Sequence, residues 1–213
     1  EQGWAEVYEI MQVVPKDIAI EDAVMLCTWR EVYAAFTDFH LKAGQHILIY
    51  GAGPVGLSFV KFARLLGLGN IYVIDRWEHK RFKALELGAT AAFAPNDSAL
   101  NDFFAQHQRQ LDAVIDAVGT QEIINTALPL IKMGGSICVY GVIDSPVIQI
   151  DKHKGPFNFN LLVHQWPTRA LERAAQEPLV EWIRQGKLSF KAFVSAEFAI
   201  QDINKALEYA RVQ

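Results

Sequence analysis

The chain has 213 residues, of which 51% are hydrophobic and 21% are charged, so it carries enough apolar residues to fold around a core of domain size. Its formal net charge is -4 and its Lys and Arg residues are not clustered, which argues against nucleic acid or an anionic membrane surface as a partner. No apolar run approaches the roughly 18 residues that span a bilayer, and the first ten residues lack the pattern of a signal peptide, so we expect a cytoplasmic protein.

Short apolar runs alternate with segments of helical period between residues 46 and 164, which is typical of a parallel sheet covered by helices. The predicted strands are 46–50, 71–75, 91–93, 113–117, 136–141 and 161–164. The predicted helices are 57–66, 77–87, 120–131 and 176–185, and glycines at 88, at 134 and 135, and at 186 are predicted to end the last three of them. The pattern predicts an α/β fold with a doubly wound parallel sheet, as in the Rossmann fold.

The two ends of the chain do not follow this alternation. Residues 1–22 include an extended stretch, and residues 187–213 include KLSFKAFV followed by a helix that is apolar on one face. That face carries Ile203, Ala206, Leu207 and Ala210. Neither end is long enough for a core of its own, so both are predicted to be pieces of a second domain or extensions packed on the first.

The sequence GAGPVG, residues 51–56, lies between the first predicted strand and the helix after it. Glycine triplets also close ordinary turns, but this position between strand and helix is that of a dinucleotide-binding turn. Gly51 would make the tight turn, Gly53 would let a pyrophosphate approach the backbone, and Gly56 would let helix and sheet pack closely. Free amides at the helix start would face the phosphates, and Pro54 is tolerated in a first helical turn.

Asp75 ends the second predicted strand, where this fold places an acid against the adenosine ribose. A carboxylate there accepts hydrogen bonds from a free 2'-hydroxyl and repels a 2'-phosphate, which favours NAD over NADP. The adjacent Arg76 can accept that phosphate or stack on adenine, so NADP stays open. Residues at the carboxyl ends of the fourth and fifth strands are expected to give room for ribose and nicotinamide, although glycine after a strand often only makes a turn. They are Ala117, Val118, Gly119, Gly141 and Val142.

Four stretches, residues 3–26, 41–90, 111–141 and 193–210, resemble the medium-chain dehydrogenase/reductase superfamily, in particular its zinc-dependent alcohol and polyol dehydrogenases. The resemblance covers nearly the whole chain. It implies that residues 1–27 are the C-terminal part of a GroES-like catalytic domain, most of which would be missing. It further implies that 28–168 form the Rossmann NAD-binding domain, and that 169–213 are C-terminal helices and a strand that return to the catalytic domain.

The same resemblance assigns roles to individual residues. Gly51, Gly53, Pro54, Val55 and Gly56 match the pyrophosphate turn, Asp75 matches the ribose acid, and Lys80 matches a basic position that also reaches this ribose. Cys27 matches the third ligand of the catalytic zinc, although a free Cys is commonly just a small buried apolar residue. One thiolate does not hold zinc, so zinc is expected only if the missing domain is present.

The resemblance implies an NAD-dependent oxidoreductase that moves hydride between an alcohol and nicotinamide, with zinc as the Lewis acid in the full-length protein. This chain would mainly bind the cofactor and would be inactive by itself. The alternatives are a non-catalytic NAD-binding module and a zinc-free member of the quinone reductase type. The expected partners are a small-molecule alcohol or carbonyl compound and a second copy of the chain, which would form a homo-oligomer through edge strands of the sheet.

Overall fold

The computed structural model describes residues 10–143 and 145–212, and it contains a six-stranded, all-parallel sheet. The strands are β1 Ile47–Tyr50, β2 Ile71–Ile74, β3 Ala91–Phe93, β4 Leu111–Asp116, β5 Ile131–Val139 and β6 Asn160–Val163. Their order in the sheet is β3-β2-β1-β4-β5-β6. This confirms the predicted doubly wound α/β fold.

Eight α-helices are described in these residues. They are α1 Ile20–Asp38, α2 Pro54–Leu65, α3 Glu78–Leu87, α4 Ser98–Gln106, α5 Gln121–Ala127, α6 Arg169–Ala174, α7 Gln176–Arg184 and α8 Ile203–Val212. Two single 3₁₀ turns, Phe190–Ala192 and Ile200–Asp202, lie between α7 and α8. Across the described ranges, no helix is both long and apolar enough to cross a membrane.

The core lies in two layers, one on each face of the sheet. On one face, side chains of α1, α2, α3 and α7 pack together, among them Trp29 and Phe62. On the other face, α4 and α5 contribute Phe103 and Ile124. Every residue of β1, β2 and β4 is buried, which explains why these strands appear in the sequence as continuous apolar runs rather than as alternating patterns.

The order of the strands fixes where a ligand can bind. From β1 the chain crosses over to β2 on one side, and it later returns to β4 on the other side. The connections after β1 and β4 therefore leave in opposite directions and open a crevice at the carboxyl ends of these two strands. Ligands of open α/β sheets bind in such crevices.

The prediction for residues 120–141 was wrong in its boundaries. Helix α5 ends at Ala127, and β5 already begins at Ile131, so Gly134 and Gly135 lie inside a strand instead of ending a helix. Pro129 explains the early end, because proline lacks the amide hydrogen and clashes with the preceding turn of a helix. The pairing of β4 with β5 shifts register between Leu111 and Ala113, which accommodates the glycines at this end of β5.

Three helices were not predicted, and residues 187–199 form no strand in this structure. Helices α1, α4 and α6 are additional, and the predicted domain division between residues 27 and 28 falls inside α1. Residues 187–199 contain only the turn Phe190–Ala192. The resemblance implies that the C-terminal strand returns to the catalytic domain, so this strand stays a prediction.

Candidate functional site

The glycine turn 51–56 joins the carboxyl end of β1 to α2. Gly51 has a φ of +94°, and its amide donates to the carbonyl of Ile74 over 2.8 Å, which ties the turn to the end of β2. A Cβ at Gly56 would lie 1.9 Å from the carbonyl oxygen of Gly51, so only glycine allows helix and turn to pack this closely. A Cβ at Gly53 would meet nothing within 4 Å. The turn is therefore closed toward the protein and open at Gly53.

Amide donors at the start of α2 lack acceptors in the described structure. The first helical hydrogen bond runs from the amide of Leu57 to the carbonyl of Gly53, and Pro54 has no amide hydrogen. The amides of Val55 and Gly56 make no hydrogen bond with the described residues. Unpaired amides and the positive end of the helix dipole together form a site for an anion.

Asp75 follows β2 and is held by two main-chain donors. Its Oδ2 accepts from the amide of Ala52 over 2.7 Å, and its Oδ1 accepts from the amide of Trp77 over 2.8 Å. Each carboxylate oxygen has further acceptor capacity after one such bond. The carboxylate is therefore fixed in orientation between the glycine turn and the start of α3, and it still offers acceptors to a ligand.

A cavity of about 610 Å³ lies at the carboxyl ends of β1, β2 and β4. The predicted residues that line it are Gly51, Gly53, Asp75, Arg76, Lys80, Ala117 and Val118. A second cavity, of about 710 Å³, shares Gly53 and Lys80 with the first and extends along Pro54 to the segment 192–196 and to Tyr209 of α8. The structure thus brings most of the predicted binding residues together around the open side of the glycine turn.

Two basic residues flank Asp75 in the first cavity. The guanidinium of Arg76 lies 5.0 Å from the centroid of the Trp77 ring, a cation–π contact on the exposed side of the cavity. Lys80, in the first turn of α3, is half-buried, lines both cavities and forms no ion pair within the described ranges. Positive charge therefore stands beside the glycine turn, where an anionic ligand would place its phosphates.

The turns that follow β4 and β5 lie in contact through main-chain atoms. Asp116, fully buried at the end of β4, accepts hydrogen bonds from the amides of Val118, Gly119 and Thr120 over 2.9, 2.8 and 3.1 Å. Burial raises the pKa of this carboxyl, and the three amide donors partly oppose that rise. A Cβ at Gly141 would lie 2.2 Å from the amide nitrogen of Gly119, so the two turns are in backbone contact.

Val142 follows Gly141 and is exposed, and Val118 is exposed on the neighbouring turn. Gly141 and Val142 do not line the 610 Å³ cavity. They extend the crevice along the carboxyl ends of the strands, from β4 toward β5. The predicted residues therefore form two groups, one around Asp75 and one around Gly119.

The described residues do not assemble a metal site. Cys27 is exposed on α1, and no group of three or more His, Cys, Asp or Glu side chains that could hold a metal ion is present in residues 10–143 and 145–212. Catalytic zinc takes three protein ligands. The donors in the described residues therefore do not fit a zinc site.

Several cavity residues were not identified from the sequence. Tyr50 and Trp77 adjoin predicted residues, whereas Leu100, Phe104, Glu122 and Ile123 come from α4 and α5. The helix α4 was not predicted, so nothing in the sequence pattern placed Leu100 and Phe104 near the glycine turn. Asp97 could have indicated the start of α4 in the sequence, because Asp is a preferred N-cap residue. In the structure its carboxylate accepts from the amide of Ala99 over 3.0 Å.

A sequence profile of the zinc-binding dehydrogenase family matches residues 54–165, just over half of the chain. The chain belongs to this family. The predicted resemblance to the medium-chain dehydrogenase/reductase superfamily is thereby confirmed. The match begins at Pro54 and includes Asp75, Gly119 and Gly141.

The curated relatives of this chain are longer than the regions in which they match it. Cinnamyl alcohol dehydrogenase 5 of Arabidopsis thaliana is 34% identical over 137 residues, which are 63% of this chain and 37% of the relative. The starvation-sensing protein RspB of Escherichia coli K12 is 25% identical over 202 residues, which are 91% of this chain and 56% of the relative. The chain thus spans about half, or less, of the length of these relatives.

Solved structures of the same fold cover almost all of the chain. An alcohol dehydrogenase (rspB) from Escherichia coli CFT073, solved in complex with NADH, superposes with a TM-score of 0.81 at 21% identity over 95% of this chain and 59% of that one. The alcohol dehydrogenase TADH from Thermus sp. ATN1 gives a TM-score of 0.78 at 21% identity over 94% of this chain and 58% of that one. At such identities the likeness establishes the fold.

Proposed function

We propose that the crevice at the carboxyl ends of β1, β2 and β4 binds NAD, and that the chain supplies this cofactor site to an oxidoreductase of the alcohol dehydrogenase type. The observation that carries the proposal is the carboxylate of Asp75, fastened to the amide of Ala52 inside the glycine turn and facing the 610 Å³ cavity. A turn for phosphates and an acid for the ribose in one cavity are the two requirements of dinucleotide binding.

The glycine turn suits the pyrophosphate. Gly53 leaves space at the point of closest approach, and the amides of Val55 and Gly56 have no acceptor in the described structure. An anion at this helix start is stabilised by these donors and by the helix dipole. Lys80 adds positive charge at the boundary of the two cavities.

The carboxylate of Asp75 selects between NAD and NADP. Its remaining acceptor capacity suits the hydroxyl groups of an unmodified adenosine ribose, whereas a 2'-phosphate would meet its negative charge at short range. Arg76 does not pair with Asp75 and instead lies over Trp77. The charge of Asp75 is therefore not neutralised by its neighbour, which supports NAD as the cofactor.

The second group of residues suits the other end of the dinucleotide. The backbone contact between Gly119 and Gly141 keeps side chains out of the crevice floor, and Val118 and Val142 present apolar surface beside it. When bound, nicotinamide supplies the hydride chemistry. The chain would hold the nicotinamide ring against the apolar side chains that follow β4 and β5.

The names of the relatives support an alcohol or carbonyl compound as substrate. Zinc assistance, which the family name implies, has no ligand set in the described residues, where Cys27 stands apart from any metal-binding group. This observation favours a second candidate, a dinucleotide-binding module that performs no alcohol chemistry by itself. Because the chain by itself is expected to give no turnover, formation of NADH from NAD and a panel of alcohols, followed by absorbance, separates the two when it is measured on a protein in which this chain is joined to a catalytic domain.

Calorimetric titration with NAD and with NADP tests the proposal. We expect NAD to bind with a dissociation constant roughly in the micromolar to millimolar range and NADP to bind more weakly. Absence of NAD binding, or tighter binding of NADP, would contradict it. The titration needs no substrate, so it tests the cofactor site independently of alcohol turnover.

A further inference from the structure

The 610 Å³ cavity continues past Asp75 into a part that the glycine turn does not explain. Its walls there are apolar and come from both sides of the crevice, with Ile74 at the end of β2, Leu100 and Phe104 on α4, and Ile123 on α5. Such walls fit the faces of a flat aromatic ring. Two polar side chains, Tyr50 and Glu122, also border this part of the cavity.

Tyr50 brings a hydroxyl group that has no partner. The residue is 8% exposed, it lines the cavity, and its buried hydroxyl makes no hydrogen bond to any described residue. Burial raises the pKa of Tyr50 first, and the negative charges of Asp116 and Glu122 raise it further. The group therefore remains an O–H donor, and a buried donor without an acceptor costs free energy until something binds to it.

Glu122 brings a carboxylate that is also uncommitted. It stands in the first turn of α5, is exposed, and its carboxylate forms neither an ion pair nor a hydrogen bond in the described ranges. The neighbouring hydroxyl of Thr126 already donates to the main-chain carbonyl of Glu122. Because an ionised carboxylate only accepts hydrogen bonds, this wall offers one acceptor group and one donor group.

We propose that Glu122 and Tyr50 recognise the 6-amino edge of adenine, with the carboxylate of Glu122 accepting from the amino group and the hydroxyl of Tyr50 donating to the adjacent ring nitrogen. The proposal rests on the proposed binding of NAD. Adenine carries a donor next to an acceptor on this edge, which complements the two side chains. A 6-oxo purine carries the reverse pattern, so its carbonyl would face the carboxylate and its N–H would face the tyrosine donor.

Titration with NAD and with nicotinamide hypoxanthine dinucleotide tests this pairing, because the two compounds differ only at that edge. We expect NAD to bind about tenfold more tightly, as befits a hydrogen bond to a charged group. Equal affinities would overturn the proposal and leave dinucleotide binding intact. Absence of any NAD binding would overturn the proposed function, and this inference with it.

The Glu122→Gln variant tests whether Glu122 causes the preference for NAD over the hypoxanthine compound. A glutamine amide either donates or accepts, so the variant should bind NAD a fewfold more weakly and the hypoxanthine compound more tightly, which brings the ratio close to one. Asp102→Asn is the matched control, because it removes one exposed carboxylate from α4 outside the cavity and should keep the tenfold ratio. A preserved ratio in Glu122→Gln would exclude Glu122 as the discriminating residue.

The Tyr50→Phe variant separates ligand binding from folding. Removal of an unpartnered buried hydroxyl should raise the thermal midpoint of the cofactor-free protein, while loss of the donor should weaken NAD binding about threefold to tenfold. A merely structural tyrosine would not give opposite changes in these two measurements. Unchanged affinity for NAD in Tyr50→Phe would overturn the role of Tyr50.

Discussion

Gly53 and Gly56 share one turn but meet different surroundings. A Cβ at Gly56 would collide with the carbonyl of Gly51 at 1.9 Å, whereas a Cβ at Gly53 would meet no atom within 4 Å. Of these two residues, only residue 56 must be glycine for packing inside the protein. The open space at residue 53 is explained by a ligand that approaches the backbone there.

Gly53→Ala should separate stability from binding. We expect the free energy of unfolding to stay within about 0.5 kcal/mol of the parent value, because the added methyl group touches nothing. We expect NAD affinity to fall at least about tenfold, because the methyl group would occupy the approach of the pyrophosphate. Denaturant unfolding and calorimetry measure the two quantities.

Gly56→Ala is the matched control in the same turn. It should lower the free energy of unfolding by about 3 kcal/mol, since helix and turn would have to move apart. Parent-like NAD affinity in Gly53→Ala would show that the pyrophosphate does not pass over this residue.

Asp75→Asn should shift the choice between NAD and NADP. The substitution keeps the size of the side chain and removes its charge, so repulsion of the 2'-phosphate disappears and the preference for NAD should fall about tenfold. Competitive titration with both cofactors measures the ratio, with Asp102→Asn as the charge-matched control outside the cavity. If the ratio does not move, Asp75 does not face the ribose.

The predictability of individual residues depended on what fixes their position. Gly51, Gly53, Gly56 and Asp75 could be predicted because a turn between strand and helix imposes their main-chain geometry. Tyr50 looks like any residue of an apolar strand, and Glu122 looks like an acid in the first turn of a helix. Tyr50 and Glu122 share one cavity because α5 packs against β4 and β5 beside β1, and no local pattern encodes that packing.

At the scale of elements, one contact joins α1 to the far end of the sheet. The buried ring of His164, just after β6, donates from Nδ1 to Oδ2 of Asp38 over 2.7 Å, and the hydroxyl of Thr168 donates to the same carboxylate over 3.1 Å. The other nitrogen of His164 has no partner in the described structure. Asp38 is therefore the one described acceptor for this ring.

Asp38→Ala should destabilise the protein by about 2 kcal/mol, because it leaves the buried imidazole without any hydrogen bond. Urea unfolding followed by circular dichroism measures the change. Asp17→Ala is the control, because it breaks an exposed ion pair with Arg184 and should leave stability nearly unchanged. Equal effects of the two substitutions would mean that the contact between α1 and β6 does not stabilise the fold.

Glu31 on α1 gives a pH-dependent prediction. Burial, and next the charge of Glu172, raise the pKa of this carboxyl above its ordinary value of 4.5. A raised folded-state pKa gives stability that is fully present below pH 4.5 and is lost as the pH rises through the folded-state value.

Glu31→Gln does not titrate, so its advantage over the parent should be absent near pH 4 and should grow toward pH 7. Because Glu31 is partly exposed, we expect a gain below about 1 kcal/mol. Unfolding measured at several pH values checks this. An advantage that is constant with pH would show that the carboxyl does not titrate differently on folding.

The sequence predicted the strands better than the helices. A strand buried on both faces appears as a short apolar run between turn residues, and β1, β2 and β4 are of this type. Helix α1 was missed because its apolar residues do not lie on one side: Leu26 and Val32 are buried, whereas Ile20 and Val24 are exposed. A helix without a single apolar stripe gives no clear 3.6-residue period.

At the scale of the whole molecule, β6 is an edge strand that pairs only with β5 in the described sheet. Phe157 before it is 99% exposed, and Val163 at its end is 53% exposed. An uncovered edge with apolar neighbours is a template for pairing with another strand. We propose that two copies of the chain associate through this edge.

Val163→Lys should weaken that association, because a lysine on an edge strand opposes strand pairing. Light scattering coupled to size exclusion should show a dimer for the parent chain and a monomer for the variant. Val24→Lys is the control, because it places the same charge on an exposed position of α1, away from this edge. A monomeric parent chain would refute the proposal.

The backbone contact between Gly119 and Gly141 restricts what substitutions this architecture tolerates. Any side chain at either position would wedge the ends of β4 and β5 apart and lift the buried Asp116 away from the three amides that it holds. One methyl group would thus disturb two strands and a buried charge at once, and no single compensating substitution elsewhere could restore the space. The shape of the crevice floor is therefore set by peptide groups alone, while the side chains around its rim are free to vary with the molecule that enters.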